Sequence, residues 1–264
     1  MHLIIDIGNT NVKLAFYRDM ELVALWSDKE VKEADFKCLI EAHNPEAGII
    51  SDVRSHAPAT QGTQTGGRPN TLTKSDLAPE LKFLCDYNFP IIQAGVHLTL
   101  PLTLRYTTPK TLGSARLAAA VAAIDRFPGQ QIMIINLGSC LTTDFVSHKN
   151  EYLGGTISPG LRMRFKALNE FTGQLPKITK LPNTVNLPGS STEESIISGV
   201  VNGMVAEIDG LVKMRQKEIS FFNVILSGGD RKFFAKKLKS RIFAVDNIVL
   251  HGLNLMLKHN VQHL

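Results

Sequence analysis

The sequence predicts an α/β protein with two similar domains, each holding a mixed β-sheet flanked by helices. One observation is a repeat: LIIDIGNTNVKLAFY at residues 3–17 has the same layout as IMIINLGSCLTTDFV at residues 132–146, with an apolar strand, one polar residue and a glycine turn. Another is that both copies continue as strand, strand and helix, a mixture that indicates the α/β class. We therefore expect domains at residues 1–115 and 116–264, facing each other across a cleft where a small molecule could bind.

Apolar periodicity separates strands from helices in the first copy. Alternation of apolar and polar residues indicates a strand, whereas apolar residues three and four positions apart indicate a helix. The Gly- and Thr-rich segment at residues 60–70 is expected to be an exposed loop. The expected strands are Leu3–Ile7, the following run to Tyr17, Leu22–Trp26, Ala47–Val53 and residues 97–106, and the expected helices are Val31–His43 and Leu112–Phe127.

The second copy follows the same plan and continues into further helices. Thr192, followed by two glutamates, offers an N-cap with acids in the first turn of a long helix that runs to Lys217. The expected strands are Met133–Leu137, Leu141–Val146, a run from Tyr152 and Asn223–Leu226, and the other expected helices are Leu161–Phe171, residues 231–241 and Leu250–Asn260.

Composition excludes several classes of protein. The chain has 264 residues, of which 44% are apolar and 20% charged, as in an ordinary globular protein with a buried core. Its apolar stretches are too short for a membrane span, and its first residues lack the basic region of a signal peptide. Three scattered cysteines favour a reducing cytoplasm, and the histidines lack zinc-type spacing. Much of the net charge of +5 lies in residues 231–241, which we interpret as a solvated helix face rather than a nucleic-acid site.

The turn after the first strand carries residues suited to phosphate binding. Asp6 ends an apolar strand, where an acid is costly unless it is paired or bound to a cation. Gly8 lets the backbone approach a ligand, while Asn9 and Thr10 add donors to backbone amides that can form an anion-binding concavity. Lys13 adds positive charge. An ordinary hairpin in which Asp6 caps its own turn is the alternative interpretation.

Two further loops favour a nucleotide site. Gly138 and Ser139 repeat the first turn in the second copy, and a triphosphate held between two domains needs a loop from each side. The strand ending at Leu226 runs into Gly228 and Gly229, where two residues without side chains let a flat group lie against the backbone. The sequence therefore predicts that three loops surround a nucleotide.

Taken in order, these loops resemble the acetate and sugar kinase/Hsc70/actin superfamily, and the finer motifs resemble the type III pantothenate kinases. The resemblance covers essentially the whole chain and implies two ribonuclease H-like domains. The motifs that carry it are DIGNTNVK at 6–13, YTTPKTLG at 106–113, GGTISPGLRMRF at 154–165, SST at 190–192, LSGGD at 226–230 and GLN at 252–254.

The resemblance also implies a reaction and its cofactors. Members of the family transfer the γ-phosphoryl group of ATP to the primary hydroxyl of pantothenate, giving 4′-phosphopantothenate, the first step of coenzyme A biosynthesis. They are cytoplasmic homodimers that use Mg²⁺ or another divalent cation with ATP, together with K⁺ or NH₄⁺. Neither nucleic acid nor membrane is an expected partner.

Site residues follow from the resemblance position by position. Asp6 is expected to be catalytic, close to the divalent cation, and Asn136 stands at the position that helps to hold the monovalent cation. The residues expected to bind ATP are Asp6, Gly8, Asn9, Thr10, Asn11, Lys13, Gly138, Ser139, Gly228 and Gly229. The residues expected to bind pantothenate are Tyr106, Gly113, Ser114, Arg116 and Thr192.

Two positions depart from the family pattern. The family usually has an acid where this chain has Ala115, and that acid is taken to accept the proton of the attacking hydroxyl. The family also usually has an acid where this chain has Asn136. Three functions therefore stay open: a pantothenate kinase with altered details, a weakly active or inactive relative that binds nucleotide or pantothenate and regulates another process, and a kinase for another small alcohol.

Overall fold

The computed structural model describes residues 1–53 and 71–261, and within it the chain forms two compact units. The first unit contains Met1–Pro128, Asn150–Tyr152 and Asn247–Leu264, and the second contains Gly129–Lys149 and Leu153–Asp246. The boundary predicted between residues 115 and 116 falls inside a helix of the first unit. The loop predicted at residues 60–70 lies outside the described residues.

The first unit is built on a five-stranded mixed sheet in the order β3-β2-β1-β4-β5. The antiparallel hairpin β1–β2 pairs on its other side with the parallel strand β4. Apolar side chains of these strands pack with Phe36 and Ile40 in one buried cluster. The elements are β1 His2–Ile7, β2 Val12–Arg18, β3 Glu21–Asp28, α1 Glu33–His43, β4 Ala47–Asp52, a 3₁₀ helix Pro79–Asp86, β5 Ile91–Gln93, β6 Thr103–Leu104, a 3₁₀ turn Pro109–Thr111 and α2 Ser114–Arg126.

The second unit contains most of a six-stranded mixed sheet in the order β11-β10-β7-β8-β9-β6. Strand β7 pairs antiparallel with β8 and parallel with β10. One face of this sheet packs against helices α3 and α4 in a second buried cluster. The elements are β7 Ile132–Leu137, β8 Cys140–Val146, β9 Glu151–Pro159, α3 Leu161–Glu170, α4 Thr192–Glu218, β10 Asn223–Ser227, α5 Arg231–Ala235, β11 Phe243–Ala244 and, returning to the first unit, α6 Ile248–Val261.

The predicted fold class is confirmed, since the chain has two mixed sheets flanked by helices. The strand predicted at residues 97–106 is wrong except at Thr103 and Leu104, which pair with β9. Pro101 has no backbone N–H to give to a ladder. The N–H of Thr99 instead donates to the Asn260 side chain of α6, at 3.0 Å.

Two helix predictions also need correction. The helix predicted over residues 231–241 ends at Ala235, because the buried Asp209 carboxylate accepts hydrogen bonds from the backbone N–H groups of Lys239 and Ser240 and pulls the chain into a turn. The N-cap of α4 is Ser191, whose hydroxyl accepts from the Glu194 N–H, so that the predicted cap Thr192 is the first helical residue.

Helix α4 is long and apolar enough to pass a composition test for a membrane span. Half of its most apolar window is buried inside the protein, and a core helix of a soluble protein passes the same test. Val201, Met204 and Ile208 of this helix belong to the buried cluster of the second unit. These contacts are typical of a core helix.

Helix α6 fixes the position of α2 through a close contact. A Cβ atom on Gly252 would overlap the backbone carbonyl of Ala118 in α2. Two residues further on, the fully buried Asn254 accepts a hydrogen bond from the His2 ring at 2.8 Å and donates to the Asp19 carbonyl at 2.6 Å. The start of α2, where several predicted site residues lie, therefore depends on the packing of α6.

Replacing Gly252 by alanine is expected to destabilise the protein by about 3 kcal/mol, because the new methyl group meets backbone that cannot move without shifting α2. The measurement is the free energy of urea unfolding. Gly210→Ala in α4 is the matched control, since a Cβ there has open space and alanine favours a helix by about 1 kcal/mol over glycine. Equal effects of the two substitutions would contradict this account of the contact.

Candidate active site

The first predicted phosphate turn joins β1 to β2 through four residues, Gly8 to Asn11. The Gly8 N–H donates to the Asn11 carbonyl at 3.0 Å, and Asn9, Thr10 and Asn11 are exposed. Asp6 lies opposite Lys13 in the ladder, so both side chains are on the same face of the hairpin. The turn thus presents exposed polar groups beside a carboxylate and an ammonium group.

Asp6 is a partly buried carboxyl with an altered acidity. Burial raises the pKa of Asp6, and Asp52 raises it further, while Lys13 and a hydrogen bond from Ser51 act in the opposite direction. A carboxylate that has lost part of its hydration is stabilised by a cation. The position is therefore suited to a metal ion or another cationic partner.

A side-chain contact joins the strand partner of Asp6 to helix α2. Ser51 is fully buried near the end of β4, is the register partner of Asp6 in the parallel pair of β1 and β4, and acts to lower the pKa of Asp6. The Ser51 and Ser114 hydroxyl oxygens lie 2.9 Å apart. The structure therefore brings together one residue predicted to bind ATP and one predicted to bind pantothenate.

The other predicted pantothenate residues of the first unit lie at the start of α2 and just before it. Gly113 is the N-cap residue, and Ala115 and Arg116 belong to the first turn; all are partly buried. Tyr106 follows β6, and its ring packs edge-on against the fully buried Tyr152 with centroids 5.8 Å apart. The Tyr106 ring thus packs against a fully buried side chain.

The second predicted turn repeats the first with one residue fewer. Leu137 pairs with Leu141 across a three-residue loop, in which the Gly138 N–H donates to the Cys140 carbonyl at 3.1 Å. Asn136 occupies the ladder position that corresponds to Asp6 and is partly buried. Thr142 is the ladder partner of Asn136. Asp144 lies two residues after Thr142, on the same sheet face, and is only 1% exposed.

Two glycines pack directly against this second turn. A Cβ on Gly160 would overlap the carbonyls of Gly138 and Ser139, and the Gly160 N–H donates to the Ser139 carbonyl at 3.1 Å. Gly228 has a φ of 96° and lies against the backbone of Leu137. Since a left-handed φ and this close approach both require glycine, the Gly-Gly loop and the second turn form one unit.

A charged side-chain cluster fixes the segment before Gly160. Arg164 of α3 pairs with Glu207 of α4, and its Nε donates to the Pro159 carbonyl at 2.8 Å. Glu207 also accepts from the Ser158 hydroxyl at 2.6 Å. The pair therefore ties α3 and α4 to the strand end that supports the Ser139 turn.

Replacing Glu207 by alanine is expected to lower the free energy of urea unfolding by about 1–3 kcal/mol, because Arg164 and Ser158 lose a partly buried acceptor. Glu218→Ala, at the end of the same helix, is the control: the Glu218 side chain is 68% exposed, and its pair with Arg215 is expected to contribute less than about 0.5 kcal/mol. A Glu207 variant as stable as the Glu218 variant would contradict the bracing role of the pair.

A cavity of about 670 Å³ lies beside the Gly-Gly loop in the second unit. Burial raises the pKa of Asp230, the residue after the two glycines, while Arg162 partly offsets that effect. Apolar side chains of α3 and of residues 177–181 line part of the wall. Its charged lining consists of Arg162, Lys166, Lys177 and Lys180, with Glu170 and Asp230.

Thr192 belongs to a different unit from the other predicted pantothenate residues. It is an exposed residue of the second unit, at the start of α4, whereas Tyr106, Gly113, Ser114 and Arg116 belong to the first. Its role stays a prediction.

Sequence reasoning missed Ser51 and the contact made by Gly160. Ser51 is a single hydroxyl residue in the apolar run AGIISDV, the same pattern that drew attention to Asp6, so the signal was present. The motif containing Gly160 was recognised, but the contact with Ser139 depends on how β9 and α3 pack and has no sequence signal.

The residues near Asp6 fit a metal ion that is carried by a nucleotide. Within residues 1–53 and 71–261, no three His, Cys, Asp or Glu side chains cluster as a metal site of their own. Mg²⁺ is commonly held by one or two carboxylates together with substrate phosphates and water. The partly buried Asp6 carboxylate, with Asp52 close by, suits that arrangement.

Similar folds occur among solved structures of sugar kinases and related proteins. One is a protein from Campylobacter jejuni assigned to the Baf family of transcriptional activators, with a TM-score of 0.56, 18% identity and coverage of 98% of this chain and 99% of that one. Another is a protein from Sinorhizobium meliloti assigned as a 2-dehydro-3-deoxygalactonokinase, with a TM-score of 0.56, 15% identity and 98% coverage of both chains. At these identities the likeness shows the fold.

Sequence comparison identifies the family. A model of the type III pantothenate kinase family matches residues 2–214. A type III pantothenate kinase from Phocaeicola vulgatus is 40% identical over 260 residues, covering 98% of this chain and 99% of that one. Another, from Christiangramia forsetii, is 36% identical over 262 residues, with 98% and 99% coverage. The chain therefore belongs to the type III pantothenate kinase family.

Proposed function

We propose that this protein transfers the γ-phosphoryl group of ATP to pantothenate, the first step of coenzyme A biosynthesis. The observation that carries the proposal is the juxtaposition of Asp6, Ser51 and Ser114: Ser51 lies opposite Asp6 in the β1–β4 register, and its hydroxyl oxygen is 2.9 Å from that of Ser114. It joins the turn expected to bind ATP phosphates to the helix expected to bind pantothenate. A phosphoryl transfer needs the attacking hydroxyl and the γ-phosphate to be held next to each other.

In this proposal the first unit holds phosphate, metal ion and acceptor. The backbone and side chains of Gly8 to Asn11 contact the phosphates, with Lys13 supplying positive charge. Asp6 orients a divalent cation, which neutralises charge on the phosphates when it is bound. Arg116 suits the pantothenate carboxylate because its planar guanidinium donates two parallel hydrogen bonds.

The second unit is proposed to bind the rest of the nucleotide. Gly138 and Ser139 contact phosphate, and Gly228 and Gly229 lie under the nucleoside, whose base enters the neighbouring cavity. The mixture of apolar and basic side chains in that cavity suits a base joined to an anionic tail. The Asn136 side-chain carbonyl is proposed to face K⁺ or NH₄⁺, which comparison of rates in K⁺ and Na⁺ would test.

We also propose that the protein is a cytoplasmic homodimer. Strand β9 directs Leu153 and Ile157 outward, and Ile157 is 63% exposed. Exposed apolar side chains in a row on one strand are typical of an interaction surface. Sedimentation of a species with the mass of one chain at micromolar concentration would refute the dimer.

The first experiment incubates the protein with Mg-ATP, K⁺ and pantothenate and detects 4′-phosphopantothenate by mass. Product that depends on the protein and on ATP is expected. Absence of product from a preparation that still binds both ligands in calorimetry would refute the kinase activity. It would favour the alternative suggested by the missing acids at Ala115 and Asn136, an inactive relative that binds nucleotide or pantothenate.

A further inference from the structure

Asn169 is a partly buried polar residue in the wall of the cavity beside the Gly-Gly loop. The cavity has a volume of about 670 Å³, and its polar lining residues are exposed except for Asn169 and Asp230, which are partly buried. An exposed ammonium group keeps water as an alternative partner, so it distinguishes ligands poorly. Specificity in a cavity comes from a few polar groups that are held in place. Asn169 and Asp230 are therefore the lining residues best suited to select a ligand.

A hydrogen bond fixes which way the Asn169 amide points. One polar atom of this side chain lies 2.8 Å from the backbone carbonyl oxygen of Leu175, a residue outside the cavity lining. A carbonyl oxygen only accepts hydrogen bonds, so the atom that faces it is the amide nitrogen Nδ2. The side-chain oxygen Oδ1 is then the polar atom that Asn169 presents to the cavity, and it can only accept.

Helix α3 runs from the second phosphate turn to Asn169. It begins at Leu161, next to Gly160, whose N–H donates to the Ser139 carbonyl at 3.1 Å. Asn169 lies about 12 Å further along the helix axis, roughly the span of a nucleoside and its first phosphate. Phe165 lines the cavity between the two ends with an apolar surface. A nucleotide whose phosphates contact Ser139 therefore places its base at the level of Asn169.

From this placement we propose that the Asn169 side-chain oxygen accepts a hydrogen bond from the base of the nucleotide. The position selects a base that carries an exocyclic amino group, such as adenine, over one that carries a keto group in the same place, such as hypoxanthine. The inference rests on the proposed kinase function and names the base that the second unit selects. Asn169 sets specificity and takes no part in the transfer of the phosphoryl group.

The selection arises because a keto base would bring two acceptors together. The 6-amino group of adenine donates a hydrogen bond, whereas a 6-keto oxygen accepts one. The Asn169 amide cannot offer its nitrogen instead, since Nδ2 is held by the Leu175 carbonyl. A partly buried acceptor that is left without a donor lowers affinity by about 10-fold or more.

The test compares the binding of Mg-ATP with that of Mg-inosine triphosphate, in which a keto group replaces the amino group of the base. Calorimetry on the parent is expected to show that ATP binds about 10-fold or more tightly. Asn169→Leu, which nearly keeps the volume of the side chain, is expected to bind the two nucleotides equally.

Asn202→Leu is the matched control for the loss of an amide. The Asn202 amide also donates to a loop carbonyl of the same unit, that of Asn186, but it lies in α4, outside the cavity lining. This variant should keep the parent preference for ATP. Urea unfolding of each variant shows whether the protein is folded.

The outcomes separate this inference from the proposed function. Equal binding of the two nucleotides by the parent overturns the inference without any variant, as does a folded Asn169→Leu protein that keeps the parent preference. If the parent forms 4′-phosphopantothenate in either case, the kinase activity stands. A parent that binds neither nucleotide refutes the proposed function and the inference together. In a parent that prefers ATP without turnover, the kinase activity fails and equal binding by Asn169→Leu still supports the role of Asn169.

Discussion

Replacing Asp6 by asparagine is expected to lower kcat/KM by about 100-fold or more while the protein stays folded. The substitution keeps the shape of the side chain and removes the negative charge that is proposed to orient the divalent cation. Loss of a group that orients a metal ion commonly costs about 10- to 100-fold, and in phosphoryl transfer charge neutralisation is most of the catalysis. Mass detection of product and calorimetry with Mg-ATP measure the loss.

The same substitution is expected to stabilise the ligand-free protein at neutral pH. Burial raises the pKa of the Asp6 carboxyl above its ordinary value of 3.8, so that ionisation costs more in the folded protein than in the unfolded chain. The free energy of unfolding of the parent therefore falls as pH rises from 3.8 through the higher pKa of the folded state. Asparagine does not titrate, so the free energy of unfolding of the variant should not show this decrease.

The control for both effects is Asp19→Asn. Asp19 belongs to the same unit, its side chain is largely exposed, and asparagine tolerates its left-handed φ of 51°. It should leave turnover and the pH dependence of unfolding close to those of the parent. An Asp6→Asn variant that binds Mg-ATP as tightly as the parent would show that Asp6 is structural and would contradict the phosphate role of its turn.

Most of the strand framework could be predicted because it depends on local pattern. The apolar residues before Asp6 and Asn136 are buried on both faces of their strands, and each of these polar residues stands two positions before a glycine. That pattern can be recognised in the sequence whatever the tertiary packing, and it identified the repeat. The prediction was less accurate where tertiary contacts decide the backbone: Asn260 holds Thr99 out of a ladder, and Asp209 ends the helix after Ala235.

The candidate site was predictable in its parts but not in its connections. Asp6 and Ser114 are 108 positions apart in a chain whose motifs gave each a separate expected role, and Ser51 connects them only because β4 pairs with β1. The support of Ser139 by Gly160 likewise arises from the packing of α3. Motifs indicate which residues belong to a site, whereas the hydrogen bonds that orient them depend on sheet register.

Restoring an acid next to Ser114 is expected to raise the rate. Ala115 is in the first turn of α2, which contains no acidic residue, and it is partly buried. Aspartate is favoured in a first helical turn by the helix dipole, so Ala115→Asp should leave the free energy of unfolding within about 1 kcal/mol of the parent. A positioned general base is worth about 10²- to 10⁴-fold, and we expect kcat to increase by about 100-fold.

Ala115→Asn is the matched control, because it adds nearly the same volume without a basic group. A gain limited to aspartate would mean that the substrate hydroxyl already lies within reach of residue 115 and that the parent lacks only the base. A folded Ala115→Asp variant that binds both substrates and shows no gain would contradict this geometry, because the acid would then be too far from the attacking oxygen to act on it.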